Sequence, residues 1–373
     1  MSSNQKTTLW FLLVALLLVT IGFAQSWSVS LGIMNLCLIS AIMALGVNIQ
    51  WGYAGLINVG VMGFSALGGI SAVLISQKPV TAAWQAGWGN LLLAAVFSTI
   101  TITIVVLCYR KLAASRQRNI LMTVVTIAGL FLARYFFDPA VVSIESVDSA
   151  KTGYLGGANL PILVSWVIGG FVAGGIAWLV GKVALGLRAD YLAIATLGIS
   201  EIILAVLKNE DWLTRGVKNV TGLPRPVPYE INLQSSDWFI NLMQWWHSNN
   251  LIELTVLEKQ TALKQFVIEG SSIFVKLCYT GLFATVLIII LFLSVKALNS
   301  PWGRMMRAIR DNEVAASAMG KDVTARHLQV FILGSAIIGV AGAMLITLDG
   351  QFTPTSFRPI RYTFLIWVMV IVG

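Results

Sequence analysis

Charged side chains are scarce in this chain. Asp, Glu, Lys and Arg together make up only 11% of its 373 residues, whereas 57% of the residues are hydrophobic. The mean hydropathy of +0.82 is far higher than a soluble domain of this size requires. The scarcity of charge therefore excludes an ordinary soluble fold and indicates that lipid surrounds most of the chain.

Residues that build metal sites and catalytic sites are also rare. The sequence contains no CxxC and no HExxH pattern, and Cys37, Cys108 and Cys278 lie far apart within or beside apolar runs. We interpret these cysteines as small core residues. The two histidines, His247 and His327, fall on segments that we assign to opposite sides of a membrane, so they cannot share a serine-based catalytic triad. An integral membrane enzyme is therefore the least favoured class, and no cofactor is expected.

A phosphate-binding loop is missing as well. No segment matches GxxxxGK[ST], the pattern whose backbone amides cradle nucleotide phosphates. Any ATP hydrolysis that serves this protein must therefore take place on another chain.

Long apolar runs dominate what is present. About 20 apolar residues cross a bilayer as a helix, and the backbone groups of each span must be satisfied within it. The runs cover residues 7–24, 31–51, 56–75, 91–108, 120–137, 161–180, 191–207, 273–298, 328–348 and 362 onward. They predict an all-α integral membrane protein, a polytopic bundle of about ten transmembrane helices in one domain over residues 1–373. We interpret the first run as an uncleaved helix rather than a signal peptide. Because only twelve residues follow position 361, we expect the last helix to be truncated.

The positive charges lie between the apolar runs and favour one side. With a cytoplasmic N-terminus, the inner short loops hold Lys6, Arg110, Lys111, Arg116, Arg118, Lys182, Arg188, Lys296, Arg304, Arg307, Arg310, Lys321 and Arg326. The outer short loops hold only Lys78, Lys151, Arg358 and Arg361. This bias predicts a membrane protein with its N-terminus in the cytoplasm. The net charge of +9 is spread between spans instead of forming a basic face, so nucleic acid is not an expected partner.

One connection is much longer than the others and is assigned to the periplasmic side. It covers residues 209–272 and begins with Pro224, Pro226 and Pro228, which disfavour helix there. Large apolar residues then recur at helical spacing at Trp238, Leu242, Trp245 and Trp246. This spacing predicts an amphipathic helix at the membrane interface. The loop is then either a cap on the bundle or a docking surface for an external partner.

A set of polar residues is interleaved with glycines in the second and third apolar runs. Uncompensated polar groups inside a bilayer tend to face a cavity or a transport pathway. We therefore predict that part of a substrate pathway is lined by Asn48, Gln50, Tyr53, Asn58, Ser65 and, from a later run, Glu201. Arg134 also lies within an apolar run, where pairing or snorkelling to the interface is an equally simple role. The tight connection at residues 52–55 leaves open whether a span there is broken or re-entrant.

A short amphipathic segment lies between two runs on the predicted cytoplasmic side, over residues 303–320. Met305, Ile309, Ala316 and Met319 fall close to one face of a helix, and Arg304, Arg307, Arg310 and Asp311 surround the other face. Gly320 can provide the left-handed stop. A helix anchored by spans at both ends can transmit the motion of a soluble partner, although an ordinary interfacial helix has the same pattern.

This segment resembles the EAA-type coupling segment of ATP-binding-cassette (ABC) importer permeases, in the form typical of the LivM-like branched-chain amino-acid permeases. The resembling positions are Gly303, Arg304, Arg307, Arg310, Asn312, Glu313, Ala315, Ala316 and Gly320. Two further stretches also resemble this family. The early stretch contains Gly52-Tyr53-Ala54-Gly55-Leu56. The central stretch contains Leu187-Arg188 with Asp190-Tyr191 and, later, Thr221-Gly222-Leu223-Pro224-Arg225-Pro226.

The resemblance implies a heteromeric importer that works by alternating access. Its other parts would be a second, homologous permease subunit, two cytoplasmic ATPase subunits and a periplasmic solute-binding protein. Branched-chain or related neutral amino acids are the implied cargo, and permeases for urea and short-chain amides have a closely similar pattern. A stand-alone carrier driven by an ion gradient is the alternative from a different class, but the apolar runs offer few carboxylates for ion coupling.

Overall fold

The computed structural model describes residues 3–113, 115–148, 153–248 and 255–372. This part of the chain is helical almost throughout. In chain order its elements are α1 (Ser3–Ala24), α2 (Trp27–Ala54), α3 (Val61–Ser76), α4 (Thr81–Lys111), α5 (Arg116–Ser146), α6 (Ile162–Ala184), α7 (Ala189–Asn209), α8 (Asp211–Thr214), β1 (Val220–Thr221), α9 (Glu230–Gln234), α10 (Asp237–Trp246), α11 (Val256–Asn299), α12 (Pro301–Asp311), α13 (Glu313–Ala318), α14 (Val323–Asp349), β2 (Gln351–Phe352), a 3-10 turn (Pro354–Ser356) and α15 (Pro359–Val372).

Helices occupy all ten predicted apolar runs. Seven of them, α2, α4, α5, α6, α7, α11 and α14, are long and apolar enough to cross a membrane. The other three runs lie on shorter apolar helices, Thr8–Ala24, Val61–Ser76 and Ile360–Val372. The prediction of an all-α polytopic membrane protein is confirmed, and in the described residues seven of the ten predicted helices have the length and composition of a full span.

The junction between α2 and α3 explains why α3 is short. α2 ends at Ala54, and Gly55 closes it in the left-handed region at φ 70°, where glycine has no Cβ to clash. Residues 56–60 are not helical, and α3 begins only at Val61. The predicted run 56–75 is therefore helical only in its later part. Leu56 and Asn58 are nevertheless buried, so the non-helical stretch lies inside the bundle.

The core of the bundle is built around α14. This helix packs against α2, α3 and α6. Its contact with α3 is a close backbone approach, because a Cβ built on Gly68 would overlap the backbone of Gly339. In lipid the hydrophobic effect does not drive helices together, so their association depends on close van der Waals packing. Small residues such as these glycines allow that packing.

A buried hydrogen-bond cluster joins three helices of this core. Trp166 in α6 donates from Nε1 to the Thr347 hydroxyl at 2.8 Å, and that hydroxyl donates to the Ala343 carbonyl at 2.8 Å. Tyr279 in α11 donates from its phenol to the Thr347 carbonyl at 3.3 Å. The cluster pairs polar side chains that lipid cannot solvate and fixes α6 and α11 against α14.

The α4–α5 hairpin lies at the edge of the bundle and exposes most of its apolar side chains. Phe131 is 72% exposed. Arg134 pairs with Asp138 one turn later, with 2.9 Å between Nε and Oδ2, so pairing is the role the structure assigns to it. The three cysteines are free, and Cys37 is exposed on the bundle surface. The interpretation of Cys37 as a core residue was therefore wrong, because hydropathy does not distinguish a side facing lipid from one facing protein.

The two strands mark one end of the bundle, called here the strand end. Val220 pairs with Phe352 and Thr221 with Gln351 in antiparallel register. α9 and α10 pack on the first turns of α11 beside them. The long connection predicted over residues 209–272 is shorter than expected, because residues 256–272 already belong to α11. Its residues 249–254, like Lys151 and Gly373, lie outside the described part of the chain.

α11 is 44 residues long. At about 1.5 Å per residue it extends roughly 66 Å, about twice the hydrocarbon thickness of a bilayer. The prediction missed this extension because its first four turns mix charged and apolar residues and lack the hydropathy of a span, although Thr255 and Glu258 form a capping box at its start.

α10 is the amphipathic helix predicted in this region, but it buries another face than expected. Phe239 is fully buried, and Met243 packs against Gly270 of α11. Trp238, Trp245 and Trp246 are 55%, 70% and 70% exposed. The predicted tryptophan stripe therefore points away from the chain's own core and is available to lipid or to a partner.

Substituting Gly68 by valine should destabilise the bundle. The added side chain meets the backbone of Gly339, which cannot move aside, and overpacking of this kind costs about 2 kcal/mol or more. Gly175→Val in α6 is the matched control, because a Cβ there meets no atom within 4 Å. We expect a lower melting temperature in detergent for Gly68→Val and a near-wild-type value for Gly175→Val. Equal melting temperatures would contradict the proposed crossing.

Candidate functional site

The candidate site begins where α11 turns into α12. Ser300 is extended, with φ −74° and ψ 170°, and Pro301 occupies the first helical position, where its missing N–H costs nothing. Gly303 lies directly against the preceding turn, because a Cβ there would overlap the Leu298 carbonyl. The sequence Ser-Pro-x-Gly thus makes a sharp corner, and α12 leaves α11 at once.

α12 is amphipathic, as predicted, but its buried face is rotated from the expected one. Gly303, Met306 and Ile309 are buried, whereas Met305 is only half-buried. Met319, which we predicted on the same apolar face, is 80% exposed. The prediction placed all apolar residues on one continuous helix, and that assumption was wrong.

The predicted helix is interrupted at Asn312. This residue is extended, with φ −159° and ψ 98°, and its Oδ1 accepts a hydrogen bond from the Ala315 N–H at 2.9 Å. Asn312 therefore ends α12 and is the N-cap of a second helix, α13, as asparagine commonly is. Gly320 has φ 75° and supplies the left-handed stop that was predicted.

α13 lies on the surface of the bundle, where Ala316 is half-buried against the core and no residue of the helix is fully buried. Val314 is 80% exposed, and Ala315 is exposed beside it. Glu313 Oε1 of α13 lies 3.8 Å from Nε2 of His327, which is at the start of α14. The result is a short helix with an exposed apolar surface, held at both ends by packed helices.

The arginines of α12 bind carbonyl groups at helix ends. Arg304 donates to the Asn299 carbonyl at 3.2 Å and Arg307 to the Leu298 carbonyl at 3.4 Å, where α11 leaves its last carbonyls unpaired. Arg310 instead donates from Nη1 to the Gly52 carbonyl of α2 at 2.5 Å. It also pairs with Asp311 at 3.1 Å. Arg310 thus connects α12 directly to the α2–α3 junction.

A second contact connects α12 to α14. Trp302 donates from Nε1 to Gln329 Oε1 at 3.2 Å, and Arg326 donates to the same oxygen at 3.0 Å. α12 is therefore attached to α2, α11 and α14 at one end of the bundle, called here the α12 end.

Gln50 and Asn58 form a buried network just inside the α12 end. Gln50 donates from Nε2 to the Phe331 carbonyl at 2.9 Å and to the Ser335 hydroxyl at 3.1 Å. Its Oε1 accepts from Asn58 Nδ2 at 2.9 Å. Both amide side chains have no exposed surface. The network ties the last turn of α2 and the non-helical stretch to α14.

The backbone of the non-helical stretch is also satisfied. The Gly60 N–H donates to Asn58 Oδ1 at 2.9 Å, and the Val59 N–H donates to the Thr196 hydroxyl of α7 at 3.0 Å. Trp367 of α15 donates from Nε1 to the Asn58 carbonyl at 2.9 Å. Side chains from α7 and α15, together with Asn58 of the stretch itself, thus replace hydrogen bonds that a continuous helix would have made.

The structure brings together only some of the predicted pathway residues. Gln50 and Asn58 share the network, and Ser65 is buried in α3, where its hydroxyl has no hydrogen-bond partner among the described residues. Tyr53 is half-buried. Asn48 and Glu201 are exposed on the surfaces of α2 and α7. The pathway role of the set stays a prediction, since the Gln50–Asn58 pair already has a structural role.

Sequence reasoning missed a polar contact between α2 and α11 at the strand end. Lys276 donates from Nζ to the carbonyl of Ser28 at 2.9 Å and to its hydroxyl at 2.7 Å. Asn35 donates to the Lys276 carbonyl and accepts from the Thr280 hydroxyl at 2.9 Å. The signal was available, because a lysine within an apolar run requires a partner.

Residues 131–373 match the protein family described as branched-chain amino acid transport system / permease component. The chain is 27% identical to the high-affinity branched-chain amino acid transport system permease protein LivM of Salmonella typhimurium over 215 residues, which are 55% of this chain and 44% of that protein. It is 26% identical to LivM of Escherichia coli over 207 residues, with the same coverage.

A third relative is archaeal. The probable branched-chain amino acid transport permease protein LivM of Methanocaldococcus jannaschii is 32% identical over 100 residues, which are 26% of this chain and 29% of that protein. The chain thus spans less than half the length of the curated relatives it matches. No solved structure matches it.

Removing one partner of the Gln50–Asn58 hydrogen bond should leave the other amide buried with an unpaired group. Asn58→Leu leaves Gln50 Oε1 without a donor and should destabilise the protein by about 1–3 kcal/mol. The Gln50→Leu/Asn58→Leu double variant should be destabilised by less than the sum of the two single-variant losses, because the residues share one interaction. Asn48→Leu, at an exposed position of α2, is the control. Melting temperatures in detergent measure the effect, and strictly additive losses would contradict a shared network.

Proposed function

Because the chain belongs to the family of branched-chain amino acid transport system permease components, we propose that it is the membrane subunit of an ABC importer for branched-chain or related neutral amino acids. The family makes it a permease component of a transporter, and its apolar helices make it a multi-pass membrane protein. The energy source, the cargo and the other subunits are the parts proposed here.

The proposed partners follow from what the sequence lacks. The chain carries no phosphate-binding loop, so ATP would be hydrolysed by two cytoplasmic ATPase subunits. A second, homologous permease subunit and a periplasmic solute-binding protein would complete the importer, as the resemblance of residues 303–320 to a coupling segment implies. The excess of Lys and Arg on the predicted inner loops supports an N-terminus and an α12 end that face the cytoplasm of the inner membrane.

The observation that carries this proposal is the exposed surface of α13. Val314, Ala315 and Met319 are apolar or small, exposed, and held away from the core. A short helix with an exposed apolar face suits a hydrophobic groove on a partner protein. An ordinary interfacial helix would place the same face in the lipid headgroup region, so variants on this face are the test that separates the two roles.

The contacts of α12 offer a route by which a push on α13 reaches the spans. Asn312 joins the two helices, and Arg310 binds the Gly52 carbonyl at the α2–α3 junction. From there Gln50 and Asn58 contact α14 and α15. We propose that closure of the ATPases moves α12 and thereby shifts α2 and α3 against α14. This shift would change the side of the membrane to which the pathway opens. Repacking at a junction between rigid helices is a common form of such a transition.

Glu201 and Arg134 bear on the rival proposal of an ion-driven carrier. Glu201 is exposed on α7, and Arg134 is paired with Asp138 on the peripheral hairpin. Neither arrangement resembles a buried carboxylate site for a coupling ion. An importer powered by partner ATPases is therefore the better supported of the two.

A cargo test separates the proposal from its alternatives. The complete transporter in vesicles should take up radiolabelled leucine, isoleucine and valine only when ATP is supplied. Uptake of urea or acetamide in preference to leucine would indicate the amide permease class. Uptake by this chain alone, driven by an ion gradient, would contradict the ABC assignment.

Changing the surface of α13 should uncouple the transporter from its ATPases. Val314→Asp puts a charge into the proposed apolar contact, and Ala315→Pro removes the N–H that Asn312 caps. Each should weaken ATPase binding by about 2 kcal/mol, or roughly thirtyfold, and abolish ATP-dependent uptake. Co-purification of the ATPase and leucine uptake in vesicles measure the effect, with membrane insertion unchanged.

Val217→Asp is the control for the α13 variants, because Val217 is 61% exposed in the segment before β1, at the strand end. This variant should bind the ATPase and transport normally. Normal uptake by both α13 variants would show that α13 does not couple.

Arg310→Gln should separate ATP hydrolysis from transport. The variant keeps α13 but loses the charged hydrogen bond to Gly52, so the complex should assemble and hydrolyse ATP while leucine uptake per ATP falls severalfold. Lys111→Gln, in the last turn of α4 on the peripheral α4–α5 hairpin, is the matched charge control. An unchanged ratio of uptake to hydrolysis in Arg310→Gln would remove Arg310 from the route.

A further inference from the structure

A cavity of about 360 Å³ lies between α2, α14 and α15, toward the strand end. Its walls are mainly apolar and include Ile39, Met43, Met62, Ile346, Phe357 and Ile366. The volume lies at the lower end of the range of about 300–1,000 Å³ that is usual for small-molecule sites. The space therefore suits a small ligand with an aliphatic part.

Polar groups are concentrated on one side of this cavity. Asp349, Gln351, Thr353 and Ser356 all line it, and all belong to the end of α14 and the segment that joins it to α15. Ser40 of α2 adds a hydroxyl on another wall. A chain segment that places one carboxylate and several neutral hydrogen-bonding groups beside an apolar space makes the cavity polar on one side and apolar on the others.

Two of these polar groups lack partners. The Thr353 hydroxyl is buried and forms no hydrogen bond among the described residues. The Asp349 side chain is exposed at the mouth of the cavity, and its carboxylate forms neither a hydrogen bond nor an ion pair within residues 3–113, 115–148, 153–248 and 255–372, so it is free to bind a cationic group. The nearby Arg225, beside Gly350, is paired with Glu230 at 3.0 Å. A buried hydroxyl without a partner is uncommon and points to a ligand that completes it.

We propose that this cavity binds the transported substrate as a zwitterionic aliphatic amino acid, an inference that rests on the proposed function. The substrate ammonium group pairs with Asp349 and its carboxylate accepts from the Thr353 hydroxyl. Its aliphatic side chain occupies the space between Ile39, Met43 and Ile366. An ion pair and a hydrogen bond fix the α-carbon groups, while the apolar walls select the side chain.

The cavity is connected to the α12 end through α2. That helix lines the cavity with Ile39 and Met43. Two to three turns later, in its last turns, it carries Gln50 and the Gly52 carbonyl that binds Arg310. Met62, at the start of α3, lies on the other side of the same junction. A shift of the α2–α3 junction therefore changes the cavity walls, which places the site within reach of the proposed coupling motion.

Cysteine labelling tests the site without relying on transport. In a background with Cys37, Cys108 and Cys278 replaced by alanine, Ser40→Cys is introduced and the complete transporter is placed in vesicles. A charged thiol reagent added outside should label the new cysteine, and leucine should slow labelling several-fold, whereas urea should not. Ser235→Cys, an exposed position outside the cavity, should be labelled with or without leucine.

The labelling has two results that overturn the assignment. One is labelling of Ser40→Cys at the same rate with and without leucine. The other is failure to label it in lipid vesicles together with rapid labelling in detergent, because this shows that lipid tails occupy the cavity.

Substrate affinity gives the second measurement. Asp349→Asn and Thr353→Val should each raise the KM for leucine, by roughly tenfold or more for the carboxylate and less for the hydroxyl. The rate at saturating leucine should change little. Asp237→Asn, at the N-terminus of α10 and outside the cavity, is the matched control. If the wild-type transporter carries leucine and both cavity variants keep its KM, the site is wrong and the proposed function stands. If the wild type carries no aliphatic amino acid, the proposed function itself fails.

Discussion

The structure depends on one constraint, that backbone N–H and C=O groups within a bilayer must find partners inside the protein. Continuous helices satisfy it over most of the chain. Residues 56–60 do not, and there the Gln50 carbonyl and the side chains of Asn58, Thr196 and Trp367 pair with the backbone. Because those partners come from α2, α7 and α15, the break in the helix also fixes how these helices meet.

The same constraint makes the α2–α3 junction a suitable place for a mechanical connection. A continuous helix has no free carbonyl to offer, but the end of α2 leaves the Gly52 carbonyl available to Arg310. α12 is joined to α2 by this charged hydrogen bond, to α14 by the Trp302–Gln329 hydrogen bond, and to the core by the packing of Met306 and Ile309. The exposed surface of α13 and the polar cavity near Asp349 then lie at opposite ends of a path that runs along α2.

Local signals predicted a good part of this arrangement. Hydropathy located all ten apolar helices, and Gly320 was correctly predicted as a left-handed stop. Asn312 was misinterpreted because an asparagine within an amphipathic pattern is compatible with either a helix interior or an N-cap. The rotation of the buried face from Met305 to Met306 follows from that error, since the predicted face was drawn to include residues beyond the break. Lys276 was overlooked although its apolar surroundings required a partner.

The sequence by itself determined that the chain is embedded in lipid and which residues form its helices. It also determined that a charged amphipathic segment lies between the spans over residues 303–320. Those properties depend on residues a few positions apart, so they can be derived from composition, spacing and capping residues. The tertiary structure alone decided which groups Gln50 and Arg310 bind, because their partners lie 281 and 258 residues away along the chain. A buried polar side chain requires a hydrogen-bond partner, but only the packing of the helices determines which group that partner is.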